Sequence, residues 1–306
     1  MIASLEGQRV VVTGSTGLVG TRLVAELESA GAKVIRAVRR RVRDDQGELS
    51  WDPAKAEIDA TKFEGVDAVV HLAGENIAGH RWTAAFKREI RDSRLNGTEL
   101  VSKAIARAAN RPRTLVSASA IGYYGNRGDE LLTESAAPAG DFLGEVCRQW
   151  EAACRPARDA GVRVVNTRIG VILSPDGGAL TKMLTPFKLG LGGRIGDGRQ
   201  YMSWVALDDV VGAIVFALAN AHLAGPANLV APQPVTNREF TKTLGRVLGR
   251  PTIFPMPAFA ARLALGEMAD ALLLSSTRVA PRALDEAGYQ FKYPELEPAL
   301  RHLLRT

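Results

Sequence analysis

The chain is poor in cysteine, histidine and aromatic residues: its 306 residues include two cysteines, four histidines and 6% aromatic side chains. Cys147 and Cys154 stand seven positions apart, on one face of a predicted helix, where they cannot bridge. This cysteine usage excludes a disulfide scaffold and fits a reducing, cytoplasmic compartment. The histidines lack the spacing of metal ligands, so we expect no metal site.

Long apolar runs are also missing. The most apolar stretch, residues 210–219, is too short to span a bilayer. Residues 1–9 lack the basic segment followed by an apolar stretch that marks a signal peptide. We therefore expect no membrane partner. The net charge of +6 does not indicate nucleic-acid binding, because stacking aromatic residues and a basic helical stripe are absent.

Strand-like and helix-like segments alternate along the first half of the chain. Strands are predicted near residues 8–13, 33–38, 67–72, 113–119 and 162–168, and helices near 18–30, 83–108 and 143–160. A helix near 208–220 and a short strand near 228–230 follow a glycine-rich segment at 190–198. This alternation predicts an α/β protein with a Rossmann-type, doubly wound parallel sheet and a smaller, mostly helical C-terminal substrate lobe.

The same pattern suggests where the two parts divide. Residues 1–170 are predicted to form an NADP-binding Rossmann domain, to which residues 204–231 return. Residues 171–203 and 232–306 are predicted to form the substrate lobe, with prolines at the entry to its helical part.

Three glycines follow the first predicted strand in the spacing Gly-x-x-Gly-x-x-Gly and lead directly into a helix. Gly14 permits a tight turn, Gly17 lets the backbone approach a pyrophosphate, and Gly20 lets the helix pack closely on the strand. The helix N-terminus then faces the anion. The residues predicted to contact the dinucleotide here are Gly14, Ser15, Thr16, Gly17, Leu18, Val19 and Gly20.

The end of the second strand indicates which dinucleotide is bound. An acidic residue there would accept from a ribose 2′-hydroxyl, whereas an arginine accommodates a 2′-phosphate. Here Val38 is followed by Arg39 and Arg40, and Arg41 and Arg43 extend the cluster. We therefore expect NADP, although the same arginines would also be ordinary on a solvated surface.

Several motifs resemble the extended short-chain dehydrogenase/reductase superfamily. They are the glycine turn, His71-Leu72-Ala73-Gly74, Asn96-Gly97-Thr98, Ser117-Ala118-Ser119-Ala120 and Tyr124-Gly125. Further segments are similar to the atypical epimerase-family branch of that superfamily, which carries its own small C-terminal domain. They are Trp51-Asp52-Pro53, Gly74-Glu75-Asn76-Ile77, Arg81-Trp82, Ser93-Arg94, Ile121-Gly122-Tyr123-Tyr124-Gly125, Asp141-Phe142-Leu143 and two runs between residues 265 and 276.

The chain departs from the superfamily where a Tyr-x-x-x-Lys pair usually lies. The equivalent positions are Phe142 and Val146, neither of which can transfer a proton. The remaining catalytic candidates are Ser119, Tyr124 and Tyr123, with no lysine at a fixed spacing to activate either tyrosine.

Further residues are predicted to line the site, and several of them have a structural interpretation as well as a functional one. Leu72, Ala73 and Gly74 are predicted to line the cofactor by backbone contact, or simply to pack tightly. From the resemblance, Glu89 is assigned to the ribose or adenine and Arg94 to a phosphate, against a solvated charge pair. Arg194, Ser203 and Trp204 are assigned to an acidic or sugar-like substrate. Trp51 would stack on adenine or, more simply, lie in the core.

Two functions follow from this sequence. One is an NADP-dependent oxidoreductase or epimerase-like enzyme that reduces a carbonyl of a small molecule. The other is a catalytically weak NADP(H)-binding protein with a regulatory role, because the branch resembles proteins discussed as division regulators. Fold alone does not choose between them. A homodimer is the candidate assembly.

Overall fold

The computed structural model describes residues 5–40, 42 and 47–305. The strands are β1 (Arg9–Thr13), β2 (Lys33–Val38), β3 (Glu48–Asp52), β4 (Glu57–Ile58), β5 (Ala68–His71), β6 (Thr114–Ala120), β7 (Leu131–Leu132), β8 (Arg163–Ile169), β9 (Val171–Leu173), β10 (Tyr201–Met202), β11 (Trp204–Ala206), β12 (Gly225–Leu229), β13 (Val235–Thr236) and β14 (Arg278–Val279). The helices are α1 (Leu18–Ser29), α2 (Ala84–Arg107), α3 (Phe142–Ala152), α4 (Arg155–Asp159), α5 (Gly178–Lys188), α6 (Leu207–Ala219), α7 (Asn237–Leu248), α8 (Ala258–Leu265), α9 (Glu267–Ala269), α10 (Arg282–Glu286) and α11 (Leu296–Leu304). Among the described residues, no helix is both long and apolar enough to cross a membrane.

The described strands form one large sheet in the order β12-β8-β6-β5-β1-β2-β3-β4. Neighbouring strands are parallel except for the β3–β4 hairpin. Side chains alternate between its two faces: Val10 and Val12 pack with α1 and α6, whereas Val11 packs with α2 and α4. The doubly wound Rossmann-type fold is therefore confirmed, and the strand order reverses between β1 and β5.

Several elements differ from the sequence expectation, among them the helix over 143–160 and strand β3. The helix expected over 143–160 is broken into α3 and α4, because Pro156 in the first turn of α4 lacks an N–H and cannot continue a helix. Cys147 and Cys154 therefore do not share one helix, although both are buried free thiols. The sequence does not predict strand β3, because its five residues, Glu-Leu-Ser-Trp-Asp, include no β-branched residue. Trp51 lies in the core, which agrees with the simpler of its two interpretations.

The C-terminal lobe has its own core and a second contact with the Rossmann part. Trp204 and Phe240 lie at the centre of a cluster built from α5, α7 and α11. Phe86 and Ile90, in the first turns of α2, pack instead on Met268 of α9. The start of α2 thus supports the C-terminal lobe, and the lobe lies next to the carboxyl edge of the sheet.

Candidate functional site

The glycine turn has the geometry of an anion cradle. Gly14 has φ of +67°, and a Cβ there would lie 2.9 Å from the Ala73 nitrogen. A Cβ on Gly20 would overlap the Gly14 carbonyl oxygen, so this glycine allows the close helix contact. A Cβ on Gly17 would meet only that same oxygen, at 3.3 Å. Space beyond Gly17 is therefore open.

The N-terminus of α1 is electrostatically prepared for an anion. Its N-cap, Gly17, offers no side chain to the first-turn N–H groups, and the first turn contains no acidic residue. The helix dipole and these N–H groups therefore favour a negative charge in front of the turn. A dinucleotide pyrophosphate fits this position.

A buried hydrogen-bonded pair holds the neighbouring loop in place. The Thr13 hydroxyl oxygen accepts from the backbone nitrogens of Leu72 and Ala73 at 3.2 and 3.3 Å, and it lies 2.7 Å from His71 Nδ1. Since both acceptor sites of the oxygen are used, the hydroxyl donates to Nδ1 and the imidazole is neutral. Burial lowers the pKa of His71 to about 4. His71 thus positions the loop that the sequence assigned to the cofactor.

The two arginines after β2 are not equivalent. Arg40 donates to both carboxylate oxygens of Glu48 on β3, at 2.8 and 2.7 Å. Arg39 is exposed, and within the described part of the chain it makes no hydrogen bond or ion pair. Arg39 is therefore the arginine available to a 2′-phosphate, whereas Arg40 is already neutralised. Arg41 and Arg43 lie outside the described residues.

The residues of α2 that were predicted to contact the cofactor differ in burial and in hydrogen-bond partners. Arg94 lies against Gly74, whose added Cβ would be 3.4 Å from Arg94 Cγ. Its guanidinium stacks over Trp150 at 5.0 Å, one N–H donates to the Ile90 carbonyl, and burial lowers its pKa. The Ser93 hydroxyl accepts from Glu75 N at 3.0 Å and so fixes the loop. Glu89 is exposed.

Two of the three predicted catalytic hydroxyls are committed to a buried network. Ser119 Oγ donates to Glu151 Oε1 at 2.8 Å, and the same carboxylate forms an ion pair with Arg168, whose side chain is 3% exposed. The Tyr124 hydroxyl donates to Asn228 Oδ1 at 2.6 Å and accepts from Arg168 at 2.9 Å. Burial, opposed by Arg168, raises the pKa of Tyr124 to about 12.

This network gives the hydroxyls of Ser119 and Tyr124 structural partners. Both side chains are buried, and their hydroxyls satisfy partners on distant parts of the chain rather than facing open space. Tyr123 differs: it is partly exposed, and within the described residues its hydroxyl makes no hydrogen bond. The Arg168 guanidinium lies 3.5 Å from the centroid of its ring.

Apolar residues occupy the positions of the missing Tyr-x-x-x-Lys pair. Phe142 packs edge to face on Trp82 at 5.4 Å, and Val146 is buried. Sequence reasoning missed Lys87, whose ammonium lies 4.4 Å from the Phe142 centroid and pairs with Glu267 at 2.7 Å.

The predicted substrate residues are not brought together. Ser203 Oγ donates to the Thr277 carbonyl at 2.8 Å and accepts from Val279 N at 2.9 Å, so it joins the C-terminal segment to β11. Trp204 is wholly buried and donates to the Gln233 carbonyl. Neither side chain is therefore exposed to a substrate in this structure. Arg194 is exposed, and its guanidinium nitrogen Nη1 donates to the carbonyls of Gly196 and Asp197.

Helix α5 of the C-terminal lobe contacts two parts of the Rossmann domain, next to the carboxyl edge of the sheet. The sequence did not indicate these contacts. Its first residues lie against Leu18 of α1, since a Cβ on Gly177 would be 3.4 Å from Leu18 Cδ1. Further along, Lys182 Nζ donates to the Ala78 carbonyl at 3.1 Å. Helix α5 therefore touches both the glycine turn and the loop that follows β5.

Nearly the whole chain is similar in sequence to known proteins. Residues 10–230 match the model of the NAD dependent epimerase/dehydratase family, and residues 256–303 match a domain of unknown function, DUF1731. An epimerase family protein of Mycobacterium bovis is 48% identical over 291 residues, covering 95% of this chain and 96% of the relative. Human epimerase family protein SDR39U1 is 38% identical over 303 residues, covering 97% and 99%.

Solved structures give the same result. A crystal structure of human SDR39U1 (isoform 2) with NADPH superposes with a TM-score of 0.90 at 36% identity, covering 97% of this chain and 99% of that chain. The UDP-N-acetylglucosamine 4-epimerase of Bacillus cereus superposes with a TM-score of 0.75 at 18% identity, covering 97% of this chain and 98% of that chain, which shows a shared fold only.

Proposed function

Because the chain belongs to the NAD dependent epimerase/dehydratase family, as its sequence motifs predicted, we propose that it is an NADP(H)-dependent reductase of a small carbonyl compound. The observation that carries this proposal is the acid-free, uncapped N-terminus of α1, with open space in front of Gly17. The NADPH in the similar human structure supports the choice of cofactor.

The residues around the glycine turn fit this cofactor. The turn at Gly14–Gly20 and the N-terminus of α1 hold the pyrophosphate, and Arg39 pairs with the 2′-phosphate. The loop fixed by Thr13 lines the dinucleotide. When bound, NADPH supplies a hydride to the carbonyl carbon and becomes NADP⁺, while the carbonyl oxygen takes up a proton.

Tyr123 is the proton donor in this proposal. Its hydroxyl is not committed to another group in the described chain, unlike those of Ser119 and Tyr124. The Arg168 guanidinium under its ring stabilises negative charge that develops on the phenol when the proton leaves. A phenol hydroxyl can donate to a forming alkoxide, whereas alcohol oxidation would need a phenolate base, so reduction is favoured.

The substrate lies between the carboxyl edge of the sheet and the C-terminal lobe, where α5 crosses the crevice. Arg194 remains a candidate for an acidic substrate group, because its residue is exposed and, among the described residues, only its Nη1 donates to the loop.

Single-turnover NADPH oxidation against a carbonyl library tests the proposal. Mass spectrometry of ligands retained after gentle purification supplies candidates for that library. If Tyr123 donates the proton, Tyr123→Phe lowers the rate by about 10²- to 10⁴-fold without changing NADPH affinity. An unchanged rate in Tyr123→Phe would show that Tyr123 is not the proton donor. The matched variant is Tyr124→Phe, which should reduce stability instead.

A second function is favoured by a specific observation: the positions of the usual acid and its lysine are Phe142 and Val146, and Ser119 and Tyr124 are locked in the network. Such a site suits a protein that binds NADP(H) and signals its occupancy to a partner. Tight NADPH binding with no turnover of any carbonyl would favour this regulatory function over the reductase.

A further inference from the structure

Exposed apolar side chains are concentrated on one part of the C-terminal lobe. Among the described residues, eight large hydrophobic side chains are exposed, and seven of them lie in residues 189–191 and 253–263. We call these seven the apolar patch. They are Leu189 (69% exposed), Leu191 (58%), Ile253 (71%), Phe254 (53%), Met256 (46%), Phe259 (71%) and Leu263 (79%).

The apolar patch is continuous in space. The segment after α5 runs beside the segment before α8, since Met256 N donates to the Arg194 carbonyl and Gly196 N donates to the Met256 carbonyl, each at 2.9 Å. A Cβ on Gly193 would overlap the Phe254 carbonyl oxygen, so the two backbones are in contact. Helix α8 begins directly after this segment and carries Phe259 and Leu263.

The patch is also stiff. Prolines at 251, 255 and 257 alternate with its exposed residues, and each fixes one backbone torsion. Less conformational entropy is therefore lost when this surface is covered than for a flexible loop.

The size and charge of the patch suit a second copy of this chain, and we infer that it is the interface of a homodimer. With about 150–250 Å² available to a large side chain, the exposed fractions amount to roughly 800 Å², which is the share of one partner in a standard interface. A two-fold axis places the patch of one copy against the same patch of the other copy. Because the centre of the patch carries no charge, this contact brings no like charges together.

Charged groups lie at the rim. Arg262 on α8 pairs with Asp270 at 2.9 Å, so both signs are present to face the symmetric copy. Lys188 and Arg250 directly precede the two segments that form the patch, and they have no ion-pair partner in the described chain. These two cations make an anionic lipid surface the competing occupant.

Sedimentation velocity and light scattering at about 1 to 100 µM protein test the inference, with the full chain and with a double variant, Phe259→Glu with Leu263→Glu. The matched control is Leu131→Glu, because Leu131 is 54% exposed but lies on β7, outside the patch. We expect a dimer for the wild-type and control proteins, and at least about tenfold weaker dimerisation for the double variant. NADPH binding reports that each protein is folded.

A thiol probe gives an independent measurement. Cys147 and Cys154 are both buried, so Leu263→Cys creates an accessible thiol that crosslinks only when two patches meet. A monomeric wild-type protein at the highest concentration, or a dimer unaffected by the double variant, would overturn the inference. Flotation of a monomeric protein with phosphatidylglycerol-containing vesicles, but not with pure phosphatidylcholine vesicles, would assign the patch to a membrane instead.

Discussion

Replacing Arg39 with alanine should weaken NADPH binding and leave NADH binding nearly unchanged. Arg39 is exposed and unpaired in the described chain, so it is free to form a charge-assisted hydrogen bond with a 2′-phosphate. Such bonds contribute about 1.5–3 kcal/mol, and solvent screening at an exposed position favours the lower half of that range. The expected loss is therefore roughly 10- to 30-fold in affinity for NADPH.

Arg40 provides the matched comparison. Its guanidinium already donates to both oxygens of Glu48, and a switch to the 2′-phosphate would leave that carboxylate unpaired. We therefore expect Arg40→Ala to cost less than about threefold in NADPH affinity. Glu48→Gln removes the competing charge, so it should strengthen NADPH binding by a few-fold and make Arg40→Ala more costly.

Fluorescence titration with NADPH and NADH measures these effects, at low and at moderate salt. Arg36→Ala is a control on the same strand, because Arg36 pairs with Glu28 at 3.0 Å. Equal losses for both cofactors in Arg39→Ala, or a larger loss in Arg40→Ala than in Arg39→Ala, would show that the phosphate is not bound as proposed.

Three further outcomes are expected. Gly17→Val should abolish NADPH binding in a protein that still shows wild-type circular dichroism, because the valine side chain would fill the open space at the N-terminus of α1. The control variant Gly140→Val, at a glycine where a Cβ meets nothing within 4 Å, should bind NADPH normally. Tyr124→Phe should lower the free energy of unfolding by about 1–3 kcal/mol in urea titrations, since it leaves buried Asn228 Oδ1 without its donor; an unchanged midpoint would contradict the network. His71 stays neutral in the fold with a pKa lowered to about 4, so its contribution to stability is complete above its unfolded pKa of about 6.5 and is lost as pH falls from there toward 4. Stability should thus fall by about 2 kcal/mol between pH 7 and pH 5, and a His71→Asn protein whose pH slope matched the wild type would argue against this cause.

The sequence by itself determined the parts of this protein that depend on local periodicity. The alternation of apolar strands and amphipathic helices gave the doubly wound sheet, and the glycine spacing placed a tight turn and a free helix N-terminus after β1. Both signals act over a few residues, because side-chain alternation and backbone torsions are local properties of the chain. The resemblance to the epimerase family rested on the same short motifs.

Only the tertiary structure decided which polar groups remain free. Ser119 and Tyr124 stand near the end of β6, but their partners come from residues 151, 168 and 228, which strand order and helix packing bring together. Arg40 meets Glu48 because β3 extends the sheet beside β2, a strand that propensity did not reveal. Trp204, which the sequence predicts as a substrate residue, lies in a core assembled from α5, α7 and α11. A hydroxyl or guanidinium is available for function only when no distant group satisfies it first, and long-range contacts settle that.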